Sequence, residues 1–206
     1  FGRPSWTLSS PEARYDIDNR IARAQHPSGT IFRDGKPAYR LTARIGTVLN
    51  DGMVVLLEGD IRLEQLGAQP LMIHASRARW QPSRQLLELD RHPEALDVSN
   101  RIRSRRARYL FDREELQLNR SPILEHWSQP FDPFRLQNRG RPEFVLAVKE
   151  AHWFPRQGRL EASGPLRGSR QEGASASKPA TPMQTLRASA LQGNTRQQLF
   201  TLFGPV

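Results

Sequence analysis

The residues with the most chemical potential are five histidines, two pairs of neighbouring carboxylates and a large excess of arginine. His26, His74, His92, His126 and His152 show no i, i+4 or His-x-His spacing of the kind that brings two imidazoles onto one metal. Asp16 and Asp18 are close enough to chelate a cation, but a polar hairpin turn explains them more simply. Glu114 and Glu115 read as an exposed turn pair. The chain contains no phosphate loop, no Gly-x-Ser-x-Gly elbow and no dinucleotide fingerprint. It has no cysteine, which excludes thiolate nucleophiles, disulfides and Cys-based zinc sites. These residues nominate no catalytic pair, no metal and no cofactor, and the chain reads as a non-enzymatic binding protein.

The charge balance calls for an anionic partner or an arginine-favouring codon usage. Lys and Arg total 31 against 21 Asp and Glu, for a net charge of +10, and only Lys36, Lys149 and Lys178 are lysines. A pI near 11.1 with aromatics beside arginines is also the composition of a single-strand nucleic-acid binder. That remains the alternative function. Two features weigh against it: the aromatics recur with small residues on the same face, as packing requires, and the cations are spread along the chain. No nucleic-acid partner is expected.

The elements that position these residues show in a repeat. An apolar residue is followed two later by a small or apolar one, three later by a small one, and two later by an aromatic or Val. The copies are Leu8-Ser10-Ala13-Tyr15, Leu41-Ala43-Gly46-Val48, Ile73-Ala75-Ala78-Trp80, Ile102-Ser104-Ala107-Tyr109 and Leu146-Val148-Ala151-Trp153. A weaker copy is Leu186-Ala188-Leu191-Gly193. Steps of two interrupted by one of three predict a strand with a bulge, or two strand segments meeting at a bend. A polar turn follows each aromatic, and then a return strand, often closed by Gly or Pro before an aliphatic: Gly59-Asp60-Ile61, Ser121-Pro122-Ile123, Gly164-Pro165-Leu166 and Gly204-Pro205-Val206. In the clearest return strand Met53, Val55, Leu57, Gly59, Ile61 and Leu63 share one face, and Glu58, Asp60, Arg62 and Glu64 the other. Arg14, Arg79 and Arg108 each precede an aromatic and should therefore line the outer face.

A chain of 206 residues with 37% hydrophobic content can bury a sizeable core. One all-β domain over residues 1–206 is expected, with an ordered insertion near 127–143 and a mobile Gly/Ser/Ala loop near 168–182. The longest apolar run, Met53 to Leu57, is strand-sized and too short to span a membrane. The chain starts at Phe1 rather than Met, which leaves room for a leader or anchor upstream.

Pro4-Ser5-Trp6-Thr7-Leu8, Ala13-Arg14-Tyr15, Asp34-Gly35 before Tyr39-Arg40-Leu41-Thr42-Ala43, and Leu57-Glu58-Gly59-Asp60-Ile61 together resemble the LptC, LptA and OstA family of Gram-negative lipopolysaccharide export proteins. The likeness is best over residues 4–120. It implies a twisted antiparallel β-jelly roll with an open apolar groove, a periplasmic location and an inner-membrane helix upstream of Phe1. It also implies a place between the LptF/LptG permease and LptA, receiving lipopolysaccharide from the first and passing it to the second. On that reading the groove is lined by Val55, Leu57, Ile61, Ile73, Trp80, Leu87, Leu89, Ile102, Tyr109, Leu118 and Trp153. The arginines are expected to form a solvated outer face, with some meeting phosphates and sugar acids at the groove mouth.

Overall fold

A computed structural model describes residues 5–135, 140–171 and 183–204. Among these residues the chain forms a 19-stranded antiparallel sheet with two short 3-10 turns and no α-helix. No helix is long and apolar enough to cross a membrane. The path is a meander of long strands, each bent or bulged near its middle. In order these are β1 (Trp6–Ser9) with β2 (Glu12–Asp16), β3 (Ile21–Gln25) with β4 (Ser28–Arg33), β5 (Lys36–Thr42) with β6 (Ile45–Leu49), and the long β7 (Val54–Gln65) and β8 (Leu71–Gln81). Then come β9 (Leu86–Asp90) with β10 (Glu94–Leu96), β11 (Asn100–Arg103) with β12 (Arg106–Leu110), β13 (Glu115–Asn119) with β14 (Ile123–His126), and β15 (Phe144–Ala147) with β16 (Glu150–Phe154). The long β17 (Arg159–Arg170) and β18 (Gln184–Asn194), and β19 (Leu199–Phe203), complete it.

The bends align into one line, the spine, along which the sheet folds into two leaves. Leaf I runs β1-β4-β5-β7-β8-β10-β11-β14-β15-β17-β18, using the ends of the long strands nearest Gln65, Leu71, Arg170 and Gln184. Leaf II runs β2-β3-β6-β7-β8-β9-β12-β13-β16-β17-β18-β19, using their other ends. The return strands turn the spine through residues in the left-handed region: His26 (φ 46), Asp60 (φ 47), Arg91 and His92 (φ 61 and 60), and Arg120 and Ser121 (φ 60 and 64). Left-handed backbone cannot continue a β ladder, so the chain leaves one leaf and enters the other. Three of these turns end in Pro27, Pro93 and Pro122, whose missing N–H suits a break in pairing.

The two-three-two step follows from the same geometry. The step of three spans the bend between β5 and β6, so Leu41 and Ala43 on one side and Gly46 and Val48 on the other all face inward. In β8 it crosses a bulge instead, where the register jumps between Glu58 and Ile61 on β7. The core is one cluster from Ile31 to Leu191, and all of it lies between the leaves.

Three sequence-based expectations need correction. Met53 does not join the inner face: it ends the turn before β7 and is 64% exposed. Gly168, Ser169 and Arg170 are strand rather than loop, because β17 is bonded there by β15 on one side and β18 on the other. A Cβ on Gly168 would collide with the Val145 carbonyl, so glycine here serves close strand packing rather than flexibility. Residues 172–182 of that expected loop lie outside the described residues. Glu114 and Glu115 are not an exposed pair, as shown below. Part of the insertion after β14 is described. Phe131 N–H donates to the Val98 carbonyl at 2.7 Å, and Trp127 and Phe131 meet edge to face.

Candidate functional site

The candidate site is the space between the leaves. Cross-strand register sets Val55, Trp80, Leu87, Tyr109, Leu116, Trp153 and Leu160 side by side as one inner row of leaf II. A parallel row nearer the spine holds Leu57, Ala78, Leu89, Ala107, Leu118 and Ala151, alternating leucine with a small residue. The small residues come from the first strand of each unit and the leucines from the return strand. In leaf I, Leu63, Ile73, Ala95, Ile102 and Leu124 form the facing row, with Ile61 beside Ala75 next to the spine. All eleven sequence-predicted groove residues therefore face the interior, and each is at most 2% exposed.

The leaves are staggered. Trp6 on β1, the first strand of leaf I, packs edge to face on Trp80 of β8, the fifth strand of leaf II, with centroids 4.8 Å apart. Tyr39 on β5 meets Tyr109 on β12, hydroxyl to hydroxyl at 3.1 Å, and both touch Phe111. At the far end His126 and Phe144 of leaf I pack on Phe200 of leaf II. The stagger leaves openings. One cavity of about 620 Å³ opens beside Trp6, Ile31, Tyr39, Trp80 and Phe111. Another of about 340 Å³ opens at the C-terminal end among Phe144, Leu146, Leu186, Leu191, Phe200 and Leu202.

Apart from Trp80, sequence reasoning missed the residues at these openings. A signal existed. Trp6, Tyr39 and Phe144 each stand two residues before a repeat begins, so one more step of two would have reached them. Phe111 stands two residues after the end of a repeat, at Tyr109, and Phe200 stands near a turn with no such step.

Opposite the spine, the hairpin turns of both leaves meet along a rim that is tied by polar contacts. Arg33 of leaf I pairs with Glu114 of leaf II, and Arg156 forms an ion pair with the same carboxylate, Nε to Oε1 at 2.7 Å. The Glu114 hydrogen bond raises the Arg33 pKa, and Arg156 also lies over the Tyr39 ring. Further along, Arg196 Nε donates to Gln69 Oε1 at 2.9 Å and Gln198 Nε2 to Ser99 Oγ at 3.1 Å. Glu114 is thus the acidic centre of a clasp. Its neighbour Glu115 is buried, accepts from Gln117 and pairs with His152 Nδ1 at 2.6 Å. Burial alone would raise its carboxyl, but these bonds more than offset that and hold it below the usual range.

The outer faces carry the arginines, and several have acidic cross-strand partners. Arg40 pairs with Glu64, Arg77 with Glu58, Arg106 with Asp90, Arg108 with Glu88, and Arg101 with Glu125. Asp16 accepts from the Asn19 side chain and backbone, which lowers its pKa and accounts for it as a turn residue. Among the described residues no three His, Asp or Glu side chains converge to hold a metal. The site can thus bury apolar matter between two sheets, with polar closures along one edge.

Comparison with known proteins gives two findings and one absence. A family model described as LptC, lipopolysaccharide-assembly, LptC-related, matches residues 1–121. The chain is similar to the crystal structure of LptH, the LptA-homologous periplasmic component of the lipopolysaccharide transport device from Pseudomonas aeruginosa, with 15% identity and a TM-score of 0.49. That match covers 70% of this chain and 98% of the other. No curated protein matches the chain.

Proposed function

We propose that this chain, which belongs to the LptC-related family of lipopolysaccharide-assembly proteins, carries lipopolysaccharide through the periplasm between its two leaves. It acts as a bridge component and performs no covalent chemistry. In the finer reading it takes lipid from the LptF/LptG permease and passes it to LptA, tethered to the inner membrane by a segment upstream of Phe1.

The observation that carries this reading is the run of apolar inner rows from one end of the folded sheet to the other. A methylene in water costs about 0.8 kcal/mol, so an acyl chain of about a dozen carbons needs on the order of 10 kcal/mol of shielding. Rows of Leu, Trp and Tyr on one leaf facing Leu and Ile on the other would supply it. The interior is filled by its own side chains, so acyl chains enter by displacing contacts between the leaves. The end cavities offer starting points and the rim contacts resist. The buried Trp153 indole N–H has no acceptor among the described residues, and an ester or hydroxyl oxygen of an acylated guest would relieve that cost.

Site-specific photocrosslinking in cells that make lipopolysaccharide tests the reading. Probes at Tyr109 and Leu118 should form lipid adducts, and a probe at the exposed Arg108 should not. A folded protein with adducts at none of these positions would reduce the inner rows to ordinary core and bring the nucleic-acid alternative forward.

A further inference from the structure

The arginines of the leaf faces are mostly ion-paired, whereas the cations of the spine are not. Arg44, Arg91, Arg105, Arg120 and Lys149 all sit at bends, all are exposed, and among the described residues none has an acidic partner within ion-pair distance. Backbone hydrogen bonds tie neighbouring bends into an ordered line. His26 N–H donates to the Arg44 carbonyl, Arg44 to Gly59, Ser104 to Pro93, Arg105 to Arg120, Val148 to Pro122 and Lys149 to Ser163. Arg44 and Arg91 share a shallow polar hollow with Ser76, Arg77, Gly59, Asp60 and Glu58, and Glu58 is already engaged by Arg77. Besides Glu58, the exposed carboxylates on this line among the described residues are Asp60 and Glu150. At about 4.8 Å per strand, the stripe from Arg44 to Lys149 runs over roughly 30 Å.

We propose that the spine is a docking edge for an anionic phospholipid bilayer. The line follows the outside of a fold, so it cannot enclose a ligand, but it can lie along a flat surface that offers many phosphates at once. Guanidinium groups suit phosphate oxygens, and basic residues held near an anionic membrane each strengthen attachment. A single-stranded nucleic acid is less well served, because among the described residues no exposed Phe, Tyr or Trp stands on this line for a base to stack on. Independently solvated cations are also a poor description: the backbone bonds hold these bends in register, and all five charges are uncompensated while most of those on the faces are paired. Docked in this way, the molecule keeps its clasped rim away from the bilayer and leaves both end openings free. The proposal stands apart from the lipid-carrying reading, since a chain that never carried lipopolysaccharide would still attach through this edge.

Cosedimentation with vesicles of phosphatidylcholine alone, and of phosphatidylcholine mixed with phosphatidylglycerol, tests it. The unaltered protein should bind the mixed vesicles, fail to bind the neutral ones, and release with salt. A triple variant, Arg105→Gln, Arg120→Gln and Lys149→Gln, should lose on the order of 100-fold in partitioning, at about fivefold per cation. A charge-matched variant on the leaf faces, Arg23→Gln, Arg79→Gln and Arg187→Gln, should lose far less. Circular dichroism confirms that each variant is folded, and the single substitutions serve if the triple is not. Equal loss in both triples would assign binding to net charge and overturn the proposal. So would absence of binding to anionic vesicles, or spine-dependent binding of an oligonucleotide in its place.

Discussion

The middle of the inter-leaf space and its C-terminal end are built from the same rows, yet they differ in burial. Trp80, Tyr109 and Trp153 are at most 2% exposed, whereas Phe200 and Leu202, which continue the rows onto β19, are only partly buried. Residue type does not separate the two regions, since both place Leu and aromatic residues on strands of one leaf. What separates them is cover: the stagger between leaves puts a facing sheet over the middle and withdraws it towards the ends. The leading strand of leaf II tells the same story, because all of β2 is exposed and Tyr15, in register with the Trp80 row through Ala22, Val48 and Val55, is 58% exposed.

The largest effect should come from emptying the covered region. Trp80→Ala removes a ring packed on Trp6 and Val55 and should cost about 3–5 kcal/mol, whereas Phe200→Ala at the open end should cost about 1–2 kcal/mol. Chemical denaturation of both variants measures the gap. Equal losses would mean that the C-terminal end is as well covered as the middle, and the distinction drawn from the stagger would fall.

A titration separates the regions next. Asp97 lies in the turn between β10 and β11 on the rim, and its carboxylate accepts from the backbone of Ser99 and Asn100 and from the Asn100 side chain. Burial nevertheless pushes its pKa up to about 6. The folded state therefore holds this proton more tightly than the unfolded chain, whose carboxyl titrates near 3.8. The stability this contributes is complete below the unfolded value and is lost as pH rises through about 6, a change of about 2–3 kcal/mol. His126, nearby in the same end, works in the opposite sense, because burial lowers its pKa and stability is lost as pH falls. Comparing the protein with Asp97→Asn from pH 4 to 7 isolates the first effect: the variant should lack the decline. An unchanged pH profile would show that the carboxyl is solvated and that this part of the rim is open.

Much of the covered region was legible in the sequence, because a two-three-two step belongs to one strand crossing one bend and needs no long-range knowledge. The repeat thus identified Ile73, Ala75, Ala78 and Trp80 as inward, and the return strand identified Val55, Leu57 and Ile61. The rim was not legible. Arg33, Glu114 and Arg156 come from turns of three different units, and only the stagger of the leaves brings them together, so Glu114 and Glu115 read as a solvated pair. Gly168 was misread for another reason. Composition alone makes Gly-Ser-Arg a loop, whereas hydrogen bonds from β15 and β18 on both sides make it a strand. The spine cations are visible as letters but not as a line until the bends are stacked.

The smallest effect on stability should carry the most information about function. Glu114→Gln removes the charge that ties Arg33 of leaf I to leaf II, and that also holds Arg156 of its own leaf, while keeping the shape of the side chain. A half-exposed ion pair of this kind contributes about 1 kcal/mol or less, so the folded state should persist. If acyl chains reach the inner rows by parting the leaves at the rim, weakening the clasp should hasten uptake of a fluorescent lipopolysaccharide and raise crosslinking at Tyr109, which lies behind the clasp beside Tyr39. Crosslinking at Phe200, at the open end, should change little. A rise at Phe200 without one at Tyr109 would mean that lipid enters by the uncovered end and that the clasp is a stability feature alone. Equal rises at both would mean that the two leaves separate as a unit, and the contrast between covered middle and open end would have no bearing on transport.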